Sequence, residues 1–198
     1  MPHNSVINDS KVLDAHTIDG FSPQFSEVPS GDQNSRYDVV SIQNLSNMEY
    51  IFDRDMQWIF HENITDVGKV AELKNIKIKP RIRQKQLCKK IHEKNYLVLK
   101  NHEFKQIRLT AKWDGVVVWP SLFFNFSDRN EEDNFYEILE TYLLEIHNLN
   151  YTTVKAIIQR RDFSSIKNYL KPTKKIWFTE WYNSLESPIV FEMYKDIV

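Results

Sequence analysis

Between Ser127 and Leu170 the apolar residues recur at helical spacing in short runs, and the breaks between runs are too brief for anything but tight turns. "SDRNEEDNFYEILETYLLEI" opens with acidic residues, which favour a helix N-terminus. It then sets Phe135, Ile138, Leu139, Tyr142, Leu143 and Ile146 on one face. Val154, Ile157 and Ile158 form the next stripe, and Phe163, Ile166, Tyr169 and Leu170 the one after. The spacing predicts a string of short helices. The turn joining the first two carries Asn148 and Asn150 where glycine would be expected. Glycine is scarce throughout, 4 in 198 residues, so the chain must turn mostly on Asn, Asp, Ser and Pro. Such a hairpin is either a DNA-binding element or an ordinary pair of packed helices.

The sequence before residue 130 has a different character. "RYDVVSIQNL" suggests a strand, and "MEYIFDRDMQWIFHENI" an aromatic-rich segment that is either strand or helix. "KIKPRIRQKQLCKKIHEK" reads as a helix with Pro80 in its first turn and Ile82, Leu87 and Ile91 as a loose stripe. "NYLVL" then reads as a short buried strand, "HEFKQIRLTAKWDG" is ambiguous, and Val116 to Phe126 is apolar enough for one or two buried strands. Alternation of this kind points to an α/β layer. The expected organisation is α/β plus all-α: a disordered polar tail over 1–36, an α/β domain over 37–130 and a helical domain over 131–198.

Charge narrows the possible partners. A formal net charge of -1 argues against a protein that coats polyanions generally. One local run stands out: Lys74, Lys77, Lys79, Arg81, Arg83, Lys85, Lys89, Lys90 and Lys94 share their stretch with a single acid, Glu93. It is either a solvated face or a phosphate-contacting one, sequence-independent and sensitive to salt. Asp53, Asp55 and Glu62 match no metal-binding motif, no histidine pair has HExxH spacing, and there is no phosphate-binding glycine loop or GxSxG elbow. No catalytic residue, metal or cofactor is therefore assigned. Cys88 is alone, which excludes an intrachain disulfide and suits a reducing compartment. Its basic surroundings could lower its pKa, or it could simply fill space. The N-terminal residues lack the basic and apolar segments of a signal peptide, and no apolar stretch is long enough for a membrane span.

Large aromatics gather near the C-terminus: Trp177, Phe178, Trp181, Tyr182, Phe191 and Tyr194. They are either aromatic anchors of a partner interface or the core of the last domain. Phe135, Leu139, Tyr142 and Phe163 join them as interface candidates.

Taken together, "LKNIKIKPRIRQKQLCKKIHEKNYLVL", "SLFFNFSDRNEEDNFYEILETYLLE" and "IHNLNYTTVKAIIQRRDFSSIKNYL" resemble the non-catalytic, ERCC-like partner subunits of XPF-type structure-specific nucleases. The resemblance covers roughly residues 37–170 and is most specific at the hairpin. Ile146-His147-Asn148-Leu149-Asn150 occupies the place of the family's apolar–x–Gly–apolar–Gly turn. Val154, Ala156 and Ile157 follow where its second helix packs, and Phe163-Ser164-Ser165-Ile166 is similar to the recurrent Phe-Gly-Ser-Leu. The chain departs from the family in lacking the Glu-Arg-Lys-x-x-x-Asp run of active subunits and a clear second glycine-rich hairpin after Leu170.

The resemblance implies a central XPF-nuclease-like α/β domain without an active site, a pseudo-nuclease, followed by a helix-hairpin-helix-like domain. It implies a heterodimer with an XPF-like subunit, acting on branched or junction DNA in the nucleus, on chromosomes. Among family members the short, glycine-poor form looks closest to the meiotic branch, which promotes crossover formation and synapsis initiation without cutting DNA. No membrane or small-molecule substrate is implied. A helix-hairpin-helix holds phosphate through backbone N–H groups at the start of its second helix. Asn148 and Asn150 can keep the turn, since Asn visits the left-handed region, but their side chains would crowd the phosphate. Thr152, Thr153 and Lys155 are the remaining candidate contacts there. The competing expectation is a purely structural subunit that stabilises its partner and touches no DNA.

Overall fold

The structure, a computed structural model, describes residues 21–28, 35–44, 49–50, 52–61, 67–78, 87–112, 115–170, 178–185 and 190–198. The chain is mixed α/β and divides into two compact units, residues 1–109 with 196–198 and residues 110–195. The division falls at Leu109–Thr110, upstream of the boundary expected near residue 130.

In the first unit, β1 (Phe21–Val28), β2 (Ser35–Asn44), β4 (Phe52–His61) and β5 (Val70–Ile78) pair antiparallel in that order, with the short β3 (Glu49–Tyr50) also on β2. Part of the expected tail over 1–36 is instead a strand, Phe21–Val28, paired from Phe21↔Asn44 to Val28↔Arg36, and residues 1–20 lie outside the described residues. The unresolved choice for the aromatic segment goes to strand, β4. After β5 the chain reverses logic, because β5 and β6 (Gln106–Ala111) pair parallel, Val70↔Gln106 to Leu73↔Leu109. A parallel pair needs a crossover, and α1 (Leu87–Asn101) supplies it. A start for this helix at Pro80 lies outside the described residues.

The extent of α1 corrects the reading of "NYLVL" as a strand. Ile91, Asn95, Val98 and Leu99 are buried while Glu93, Lys94 and Leu97 face out, a period of 3.6 rather than 2. Leu97 is 61% exposed, so the apolar run was never wholly interior. Phe60 meets Phe104 edge-on at 5.5 Å, and Trp58 stacks beside Phe60 at 6.1 Å. The last residues return to this unit: Ile197 N–H donates to Lys105 O at 2.8 Å, and Gln106 Nε2 to Asp196 Oδ1 at 3.0 Å.

The second unit begins with another correction. Val116 to Phe126, expected as buried strands, forms α2 (Gly115–Ser121) and a two-residue strand, β7 (Asn125–Phe126). Val116, Trp119 and Pro120 are buried at helical spacing. A Cβ at Gly115 would lie 3.1 Å from the Trp119 ring, which would have to give by a few tenths of an ångström to admit it. Strand β8 (Phe191–Asp196) pairs antiparallel with β7. The helices α3 (Arg129–Glu145), α4 (Tyr151–Gln159), α5 (Phe163–Leu170) and α6 (Phe178–Asn183) complete the unit. The predicted apolar stripes fall on α3, α4 and α5. Asp128 caps α3, its carboxylate accepting from Glu131 N–H at 2.9 Å.

The scarcity of glycine shows in how helices end. Glu103, Phe123, Asn148 and Arg161 follow α1, α2, α3 and α4, and each has positive φ, between 46° and 65°. After α1 and α2 the terminal carbonyls are closed by the bond pair of the Schellman motif. Phe104 N–H reaches Leu99 O and Glu103 N–H reaches Lys100 O, each at 3.0 Å; Phe124 N–H reaches Trp119 O at 3.2 Å and Phe123 N–H reaches Pro120 O at 3.0 Å. A left-handed conformation costs an L-residue other than glycine roughly 1–2 kcal/mol, and the chain accepts it repeatedly. Among the described residues no helix is long and apolar enough to cross a membrane.

Candidate functional site

The two hairpin asparagines, expected to do the same thing, do different things. Asn148 takes the left-handed turn with φ of 52°, and Leu149 N–H closes back on Leu143 O at 3.3 Å. Asn150 is extended, with φ of -69° and ψ of 151°, and caps α4. Its side-chain oxygen accepts from Thr153 N–H at 2.9 Å. Only one position therefore needed a glycine-like residue, and the other is a helix cap. The cap has a chemical consequence. One of the N–H groups that a helix N-terminus could offer to phosphate is already used by Asn150. Asn150→Ala is expected to destabilise the second unit by about 1 kcal/mol, and Asn150→Gly by only a few tenths; equilibrium urea unfolding of both variants checks the order.

Lys155 is also engaged internally. Its ammonium lies 2.9 Å from Glu140 Oε2 on α3 and 5.2 Å from the centre of the Tyr151 ring. The hydrogen bond to Glu140 holds its pKa above the ordinary lysine range. Thr152, exposed in the first turn of α4, stays at the surface with Asn148 and Asn150. Ties that the sequence reading missed hold this helical unit together. Arg161 pairs with Asp133 and, at 3.3 Å, with Glu132, and lies over the Tyr136 ring. His147 Nε2 sits 2.9 Å from Tyr169 O, an acceptor, so that nitrogen carries the proton and donates. An i, i+4-type scan finds neither, because the His147–Tyr169 and Arg161–Asp133 partners lie 22 and 28 residues apart in sequence.

Of the basic run, Lys89 and Lys90 are exposed on α1, with Lys94 one turn further on. Lys89 reaches Glu93 at 3.7 Å, a surface pair of small energetic weight. Lys74, half-exposed, lies 2.5 Å from Glu72. Lys77 lies near the end of β5, opposite Arg54 of β4. Lys79, Arg81, Arg83 and Lys85 lie outside the described residues. The described part of the run thus places exposed cations on the outward face of the crossover helix.

The expected partner interface is corrected. Phe135, Leu139, Tyr142, Phe178, Tyr182 and Phe191 are all within 1% of complete burial in the isolated chain. Phe135 contacts the rings of Phe126, Tyr136, Phe163, Phe178 and Phe191 at 5.2–6.2 Å. Trp181 lies against Tyr142 and Phe178, and Trp177 is outside the described residues. The six buried residues are core, and Phe163 and Trp181 are half-buried beside them. A helical unit of this size buries them because β7 and β8 add a second layer, which the sequence reading did not supply.

Cys88 is likewise not activated. Burial pushes its thiol up to about 12, opposite to the lowering that its basic neighbours suggested. Iodoacetamide at pH 8 is expected to label the native chain roughly a thousandfold more slowly than a free thiol; mass spectrometry before and after unfolding checks this. Beside β4 and β5, Glu72 accepts from Lys74 and lies 3.2 Å from His61 Nε2. Burial opposes its charge, but those hydrogen bonds prevail and hold its carboxyl below the usual range. Among the described residues no three His, Cys, Asp or Glu side chains gather as a metal site would require. No protein-family model matches this chain and no curated protein matches it, so its function has to be read from the helical hairpin and the basic face themselves.

Proposed function

We propose that the chain is the non-catalytic subunit of an XPF-like heterodimer that binds branched DNA and promotes meiotic crossover formation and synapsis initiation without cutting. The α/β unit is then a pseudo-nuclease domain and the helical unit a helix-hairpin-helix domain. The observation that carries this reading is the hairpin between α3 and α4. It pairs a left-handed Asn148 with an Asn150 cap at the two positions where the family has glycine. Exposed Lys89 and Lys90 on α1 support a second, stronger DNA contact by sequence-independent attraction to phosphate.

A second reading is favoured by specific contacts. Asn150 uses the Thr153 N–H and Glu140 holds Lys155, so the hairpin offers phosphate little. On that reading the subunit only stabilises its partner. The two are separated by titrating four-way junction DNA with the purified heterodimer at several salt concentrations. Affinity that falls steeply with salt supports DNA binding. A heterodimer that forms but leaves junction DNA unbound leaves only the structural role, and a chain that does not co-purify with an XPF-like subunit removes both.

A further inference from the structure

We propose that Phe123 is an anchor residue for a protein partner, displayed by the turn that ends α2. The inference rests on the heterodimer reading, under which the partner is the XPF-like subunit. The turn is fully made without this side chain. Both of its closing backbone bonds are in place, and Trp119 and Phe124 meet edge-on at 5.3 Å across it, the apolar contact that accompanies such a cap. The residue between them must adopt φ of 65°, which glycine does freely and a bulky residue does rarely. Its ring is nevertheless 81% exposed.

The same cap after α1 carries Glu103, a polar residue that loses nothing by facing water. At position 123 both backbone conformation and exposure favour replacing phenylalanine, so closing the turn does not explain the residue. An observed backbone outlier with an exposed aromatic side chain is the pattern of a site kept for contact. Lys195 defines the chemistry around it. Its ammonium donates to Leu122 O at 2.8 Å and stands 5.8 Å from the Phe123 ring centre. The patch is an exposed aromatic ring beside one cation, which fits an apolar pocket with a single carboxylate at its rim facing Lys195. Stacking on an unpaired nucleic-acid base fits less well. Residues 110–195 carry ten Lys and Arg against twelve Asp and Glu, and Asp128, Glu131, Glu132 and Asp133 follow closely in sequence.

The test compares the full chain with Phe123→Gly and Phe123→Trp, measuring thermal unfolding alone and the Kd for the XPF-like subunit. Phe123→Gly is expected to unfold at the same temperature or higher and to bind the subunit about tenfold or more weakly. Phe123→Trp is expected to stay within about threefold of the parent chain. If the parent pairs and Phe123→Gly pairs equally well, the anchor is overturned and the heterodimer stands. A lower unfolding temperature for Phe123→Gly makes the ring structural and overturns it too. Unchanged pairing with weakened junction-DNA binding assigns the ring to base stacking instead. If the parent chain does not pair at all, the heterodimer reading falls and the anchor with it.

Discussion

Replacing Arg81, Arg83, Lys89 and Lys90 together by glutamate is expected to weaken junction-DNA binding by on the order of 100-fold or more at physiological salt. Each phosphate contact contributes a nearly fixed increment to the salt dependence, close to 0.9 in the log–log slope on duplex DNA. If all four cations contact phosphate, the slope should therefore drop by about 3 to 4. The change in slope is the more diagnostic quantity, because a variant that is merely misfolded loses affinity without that particular increment. Lys89 and Lys90 are exposed on α1, and the ion pair of Lys89 with Glu93 is at the surface. Loss of such a pair costs roughly 0.3–0.5 kcal/mol, so folding and heterodimer formation should survive. Sizing of the variant heterodimer and its binding isotherms at several salt concentrations give both readouts. An unchanged isotherm with an intact heterodimer would leave the basic run as a solvated face.

What could be read directly from the residues was the part of the fold whose residue pattern agrees with its element. Helix α3 was legible because Phe135, Leu139, Tyr142 and Leu143 lie on one face and Asp128 marks its start. Strand β2 was legible from its β-branched run. Segments whose residues suggest strand but pack as helix were not. Tyr96 to Leu99 looks like a buried strand until Asn95 is counted as interior and Leu97 as exterior, which only the packing of α1 reveals. Val116 to Ser121 is rich in β-branched residues yet helical, because Trp119 folds over Gly115 and Pro120 tolerates a helix end. Tertiary packing overrode propensity in both places. At the site, the hairpin was legible as a hairpin, but the separate duties of Asn148 and Asn150 depend on backbone angles that residue type leaves open. Phe123 was invisible for a related reason: inside "SLFFNF" nothing distinguishes an outward phenylalanine from its inward neighbour Phe124.

Phe135→Ala is expected to separate a core role from an interface role. Phe135 is completely buried and ringed by Phe126, Tyr136, Phe163, Phe178 and Phe191. Those neighbours come from β7, α3, α5, α6 and β8, so removing the ring opens a cavity on which every layer of the second unit borders. Truncation of a buried phenylalanine costs about 3–5 kcal/mol, the lost transfer free energy plus the unfilled space. Domains of ordinary size have only about 5–15 kcal/mol to lose. The free Phe135→Ala chain is therefore expected to unfold at a much lower denaturant concentration, with its near-ultraviolet circular dichroism lost first. Were Phe135 part of a surface that waits for a partner, the result would be the reverse. The free chain would keep its stability, and only heterodimer affinity would fall. Denaturant unfolding of the chain alone distinguishes the two outcomes without the partner in the tube. A variant as stable as the parent would return the aromatic cluster to the surface.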